Sequence, residues 1–137
     1  MALYENPLMS QTSEAAQVRM KPDTVGRAQL PTGSGTYLAG TPFGYLSGAW
    51  VLWDGDAANE SAEIYGFLYE ETTLDGTDNV IAPMMTAGEI HYDDVWTAVQ
   101  HPATDLGTEG ELQAAIEATQ FRQLNLRIAG YSANQES

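Results

Sequence analysis

Two histidines, His91 and His101, stand ten residues apart, with Asp93, Asp94 and Asp105 close by in the chain. Imidazole and carboxylate groups are common ligands of zinc and other first-row metals, so a metal site could be drawn from these residues. Their spacing matches no HExxH or facial-triad pattern; the simpler reading is a solvent-facing strand histidine and a loop histidine before Pro102. In "DGDAANE", Asp54, Asp56 and Glu60 supply hard oxygen suited to calcium. An EF-hand needs glycine at its sixth position, where Asn59 stands, so a polar hairpin loop is the better reading. The adjacent acids Glu70–Glu71 and Asp93–Asp94 have the residue types of a glycosidase acid and base. Read as strand neighbours, each pair points to opposite faces and cannot share a cleft. Ser47, Ser61 and Ser132 lack a nucleophile-elbow context. "GSG" at 33–35 lacks the Gly-Lys that completes a phosphate loop and reads as flexible linker. The expectation is a protein without catalytic residues, metal, cofactor or small-molecule substrate.

The segments that would carry these residues read mostly as short strands. "GAWVLWDG" at 48–55 is apolar on both faces, with Trp50 and Leu52 to one side and Ala49, Val51 and Trp53 to the other, so it wants cover above and below. In "EIYGFLYEE", Gly66 interrupts an apolar strand as glycine does at a bulge or where another backbone comes close. "VIAPMM" is a further strand, and Pro83, which cannot donate to a ladder, hints at an edge or a bulge. "GEIHYDDVW" alternates, with Ile90 and Tyr92 inward. One helix stands out over about residues 108–121. Thr108 and Glu111 have the spacing of a capping box, and Leu112, Ala115, Ile116 and Thr119 form one apolar stripe. A last strand follows, with Leu124, Leu126 and Ile128 alternating with polar or small residues. The fold class expected is mixed α/β and β-rich: a small compact domain of short strands, one main helix and an extended N-terminal arm.

Charge divides the chain in the same place. Of 137 residues, 19 are acidic and five basic, a net charge of −14. Residues 1–35 hold Arg19, Lys21 and Arg27 against three acids, whereas residues 36–137 hold two arginines against sixteen acids. Such a body repels phosphate backbones, which argues against nucleic-acid binding. No cysteine is present, so disulfides and thiolate sites are excluded. The longest apolar runs are far shorter than the roughly 20 residues that span a bilayer. The start lacks the basic and apolar regions of a secretion signal, so a soluble, non-secreted protein is expected. In residues 1–35 apolar side chains are scattered without a helical or strand period, and the segment ends in "LPTGSG". A flexible arm over 1–35 and a domain over 36–137 are expected, the alternative being a first strand near "QVRM" at 17–20 packed on its own domain.

Taken in order, the motifs resemble the head decoration proteins of lambda-like tailed phages. The resemblance rests on the Ala39–Gly44 turn, on Trp53-Asp54-Gly55, on Ala62 with Gly66 and Phe67, and on Gly88, Ile90, Val95 and Trp96. It covers roughly residues 36–130. It implies a virion structural protein on the outer surface of the capsid, made in the host cytoplasm. There it would assemble as a homotrimer at local three-fold positions of the expanded shell and brace the major capsid protein against DNA pressure. It also implies an N-terminal arm that orders on the shell. Val18 and Met20 alternate with Arg19 and Lys21 in a pattern suited to strand addition, and with Arg27 they are the candidate capsid-binding residues. Trp50, Trp53 and Trp96 are either core residues or anchors of a trimer interface. Rival expectations are a small carboxylate-dependent hydrolase and another accessory virion protein, such as a tail component.

Overall fold

The computed structural model describes residues 20–57, 59–102, 105–122 and 125–130, apart from the side chains of residues 60 and 120–122. Among them are eight strands: β1 (Met20–Gln29), β2 (Ser34–Tyr37), β3 (Pro42–Leu46), β4 (Ala49–Leu52), β5 (Gly66–Leu68), β6 (Thr72–Asp75), β7 (Ile81–His91) and β8 (Leu126–Ala129). Two α-helices, α1 (Tyr92–Gln100) and α2 (Glu109–Arg122), lie between β7 and β8. The main sheet runs β1-β7-β5-β3-β4, and β8 joins β7 in parallel while the other pairings are antiparallel. β2 and β6 form a separate two-stranded ribbon.

β7 is the spine of the sheet. One side pairs with β1 along its whole length, and the other meets β5 at Met84–Met85 and then β8 from Gly88 to His91. The edge position suggested by Pro83 is therefore overturned. The Pro83 carbonyl accepts from Tyr69 N–H at 2.9 Å, so its backbone polar groups point to the side where β5 has ended at Leu68. A missing donor costs no ladder bond there.

Side-chain alternation gives the sheet a core on each face. Phe67 and Met85 point to the helices and join Trp53, Ile64, Ile90, Val95, Leu112 and Ile116. Their neighbours Leu68 and Met84 point to the ribbon and join Phe43, Tyr37, Leu74, Ala28 and Leu30. Cover above and below is thus supplied by α1 and α2 on one face and by β2–β6 on the other. Each fully buried side chain of this size contributes roughly 1.5–3 kcal/mol.

Several local expectations hold. Thr108 Oγ1 accepts from Glu111 N–H at 3.1 Å and Glu111 Oε1 accepts from Thr108 N–H at 2.9 Å, closing the capping box. The whole Leu112, Ala115, Ile116 and Thr119 stripe is buried. At Gly66 a Cβ would stand 3.1 Å from the Met85 carbonyl oxygen, the close backbone approach its position suggested.

Three corrections concern the ends of elements. "GEIHYDDVW" is not one strand: it changes to helix after His91, whose Nδ1 accepts from Asp93 N–H at 3.2 Å as the N-cap of α1. Asp93 and Asp94 then fall in the first turn, where the helix dipole favours negative charge. "GSG" at 33–35 is no linker, since Ser34 and Gly35 pair with Asp75 and Leu74. The arm boundary at residue 35 also moves, because Met20–Gln29 is paired with β7 and the described body begins at Met20. Apolar period fails there for a physical reason. Lys21–Arg27 are exposed on both faces and held by main-chain pairing, while Ala28 and Leu30 alone sink into the ribbon-side core.

Candidate functional site

Three regions hold the chemistry-bearing residues. In the first, His91 and His101 sit at opposite ends of α1, ten residues of helix and therefore about 15 Å apart. They cannot share a metal ion. His101 is the C-cap, its backbone N–H donating to Ala98 at 3.3 Å. Among the described residues no group of three or more histidine and acidic side chains is placed to hold a metal.

A second region is an open cleft of about 650 Å³ between the ribbon and the segment after α1, lined by Tyr37, Trp53, Asp54, His101, Asp105 and Leu106 among others. Sequence reasoning set these acids in separate motifs, and the fold gathers them. Asp54, His101 and Asp105 are nevertheless exposed, without the burial on which a general acid–base pair relies. Asp54 Oδ1 is also occupied, accepting from Asp56 N–H at 3.1 Å in the polar turn the sequence suggested.

The acidic pairs are not strand neighbours: Glu70 and Glu71 lie in the connection before β6, and Asp93 and Asp94 on a helix. Neither pair lines this cleft. Ser47 occupies a tight β3–β4 turn, with φ of 54° there and 82° at Gly48, the positive values a type I′ hairpin needs. Ser61 is buried, its hydroxyl donating to Asn59 Oδ1 at 2.6 Å. Ser132 lies outside the described residues.

The third region is the outer edge of β1. β7 occupies one side of this ten-residue strand, and no described strand hydrogen-bonds to the other. Lys21 and Arg27 project from it, neither in an ion pair with a described residue, whereas Arg127 on β8 reaches Asp23 at 3.6 Å and Glu89 at 3.9 Å. Met20 packs against the helix-side core. Of the candidate capsid-binding residues, Met20, Lys21 and Arg27 thus belong to a strand already formed on the body, and Val18 and Arg19 lie outside the described residues.

Neither a scan against protein-family models nor a search of curated proteins returned a match to this chain.

The three tryptophans separate. Trp53 is completely buried, its Nε1 donating to the Ala62 carbonyl at 2.8 Å, and is core. Trp96 on α1 is half-buried against the helix-side core. Trp50 on β4 is half-buried against the ribbon-side core, edge-on to Tyr45. Among the described residues no helix is long and apolar enough to cross a membrane.

Proposed function

We propose that this protein is a head decoration protein of a lambda-like tailed phage, which binds the expanded capsid as a trimer and braces the major capsid protein against internal pressure. Its role is structural, without catalysis, cofactor, nucleic acid or membrane. The observation that carries the reading is the outer edge of β1, to which no described strand is hydrogen-bonded. A long strand with one side unpaired is a template for strand addition, in which main-chain hydrogen bonds give affinity and flanking side chains give choice. Lys21 and Arg27 on that edge are cations on an otherwise acidic body, so they select an extended partner segment that carries carboxylates.

Several of the residues on which the resemblance rests pack together on the helix side of the sheet, while Phe43 of the Ala39–Gly44 turn lies in the ribbon-side core. Trp53, Phe67, Ile90 and Val95 share one core, and Trp96 lies against it. Trp96, with part of its ring outside that core, is assigned the contact between subunits. Trimeric binding multiplies a modest edge contact, since one seated subunit raises the local concentration of the other two.

Sedimentation with expanded and unexpanded shells, each lacking its own decoration protein, tests the reading. Binding to expanded shells only, saturating in multiples of three copies, is expected. Equal binding to both forms, or to neither, would overturn it.

A further inference from the structure

Three aromatic side chains are left partly in water where β3, β4 and the entry to β5 meet. Tyr45 is 39% exposed, with Trp50 and Tyr65 half-buried beside it. Tyr45 meets Trp50 edge to face, with centroids 5.2 Å apart and planes at 80°, and meets Tyr65 at 6.2 Å in a tilted arrangement. They border a shallow depression of about 600 Å³ that is completed by Thr24 from β1, Thr86 from β7 and Asn125 before β8. None of the described residues lining it carries a charge at neutral pH, on a chain whose net charge is −14.

Trp50, against which Tyr45 packs, is held from behind. A Cβ on Gly66 would stand 3.2 Å from Trp50 Cη2, so the indole lies directly over the β5 backbone. A surface fixed in this way loses little side-chain freedom when a ligand arrives.

Aromatic faces flanked by two hydroxyls and an amide, with charge excluded, suit a ligand that is neutral, offers C–H faces and is rich in hydroxyl groups. A pyranose ring has all three properties. We propose that this depression is a binding site for a neutral oligosaccharide. The positive C–H face of a sugar stacks on the part-exposed ring of Tyr45, which carries negative charge on its faces. Thr24, Thr86 and Asn125 exchange hydrogen bonds with the sugar hydroxyls, each able both to donate and to accept. Acidic polysaccharides are disfavoured by the field of the body. A proline-rich segment also uses aromatic grooves, but the near-perpendicular Tyr45 and Trp50 rings leave no parallel slot for a proline ring. The site takes the Thr24 hydroxyl from β1 but makes no use of that strand's main chain, and it does not rest on shell binding.

The test is an NMR titration of the isotope-labelled full chain, with maltohexaose, cellohexaose, chitohexaose and a polyproline peptide added separately, following the Trp50 indole N–H. At least one hexasaccharide should shift that signal saturably, with an affinity unchanged by added salt. Tyr45→Ala should weaken binding about tenfold, with the rest of the spectrum preserved, and Tyr45→Phe, which keeps the ring, should retain most of it. No saccharide-induced shift, shifts that Tyr45→Ala leaves intact, a response to polyproline alone, or sugar-independent shifts that grow with protein concentration would each overturn the proposal. The last of these would mark the face as a contact between copies of the chain.

Discussion

The indole of Trp53 is pressed against Gly107, where a Cβ would stand 2.7 Å from Cη2. Gly55 faces the same ring atom, at 2.8 Å for its Cβ. One buried side chain therefore joins the end of β4, the 54–62 loop through its bond to Ala62, and the entry to α2. Gly107→Ala must push the ring or the backbone aside, at a cost of about 1–3 kcal/mol. Gly110→Ala, with nothing within 4 Å, should instead stabilise α2 by up to about 1 kcal/mol. Urea unfolding midpoints check both, and a Gly107→Ala protein as stable as Gly110→Ala would contradict the clamp.

The capping box gives a second expectation. Thr108→Ala should cost about 1 kcal/mol. Glu111→Ala should cost a comparable amount, because each side chain satisfies a free amide of the first turn. The double variant should lose less than the two single losses together, since both remove one reciprocal pair. Strict additivity in thermal unfolding would show that the two bonds act independently.

Gly88 controls the attachment of β1. Its φ is +139°, and a Cβ would lie 2.6 Å from the Lys21 carbonyl oxygen and 2.8 Å from Pro22 Cα. The register of β1 on β7 shifts at this place, between Pro22 and Val25. Gly88→Ala should therefore lift the start of β1, through strain of about 1–3 kcal/mol. Amide exchange of Lys21–Val25 should accelerate while that of α2 stays slow.

Asp75 sets a pH dependence. The Thr77 amide first, and then the Asp78 amide, donate to its Oδ1 and hold its carboxyl below the ordinary value of 3.8. Because the folded group titrates lower than the unfolded one, its stabilisation is present above that ordinary value. It is lost as pH falls through the lowered one. Unfolding midpoints of the wild type should fall over that acid range more than those of Asp75→Asn, and an NMR titration should place the Asp75 midpoint below 3.8.

How far the sequence could be read depended on whether a local pattern had a single physical meaning. The capping box and the stripe from Leu112 to Thr119 specify a helix and little else, and both are present. At His91 the alternation of strand and the spacing of helix overlap: Tyr92 is buried in either reading. What decides is Val95 and Val99, which fall on the buried face only with helical spacing. β1 was hidden for the opposite reason, since its pairing is made by backbone groups common to every residue and its side chains from Lys21 to Arg27 stay in water. The gathering of Tyr45, Trp50, Tyr65 and Asn125 at one depression depends on a strand order that no short stretch encodes.

Shell binding makes an expectation about charge. Lys21→Glu with Arg27→Glu should leave folding unchanged, as both side chains are exposed, yet weaken attachment to expanded shells, with the wild-type affinity falling as salt is raised.

Amide exchange of β1 measured with and without expanded shells tests the central claim most directly. If the outer edge of this strand receives a segment of the shell protein, exchange across Lys21–Arg27 should slow markedly on addition of expanded shells and not of unexpanded ones. Exchange in β1 that is the same with shells as without them would contradict the account.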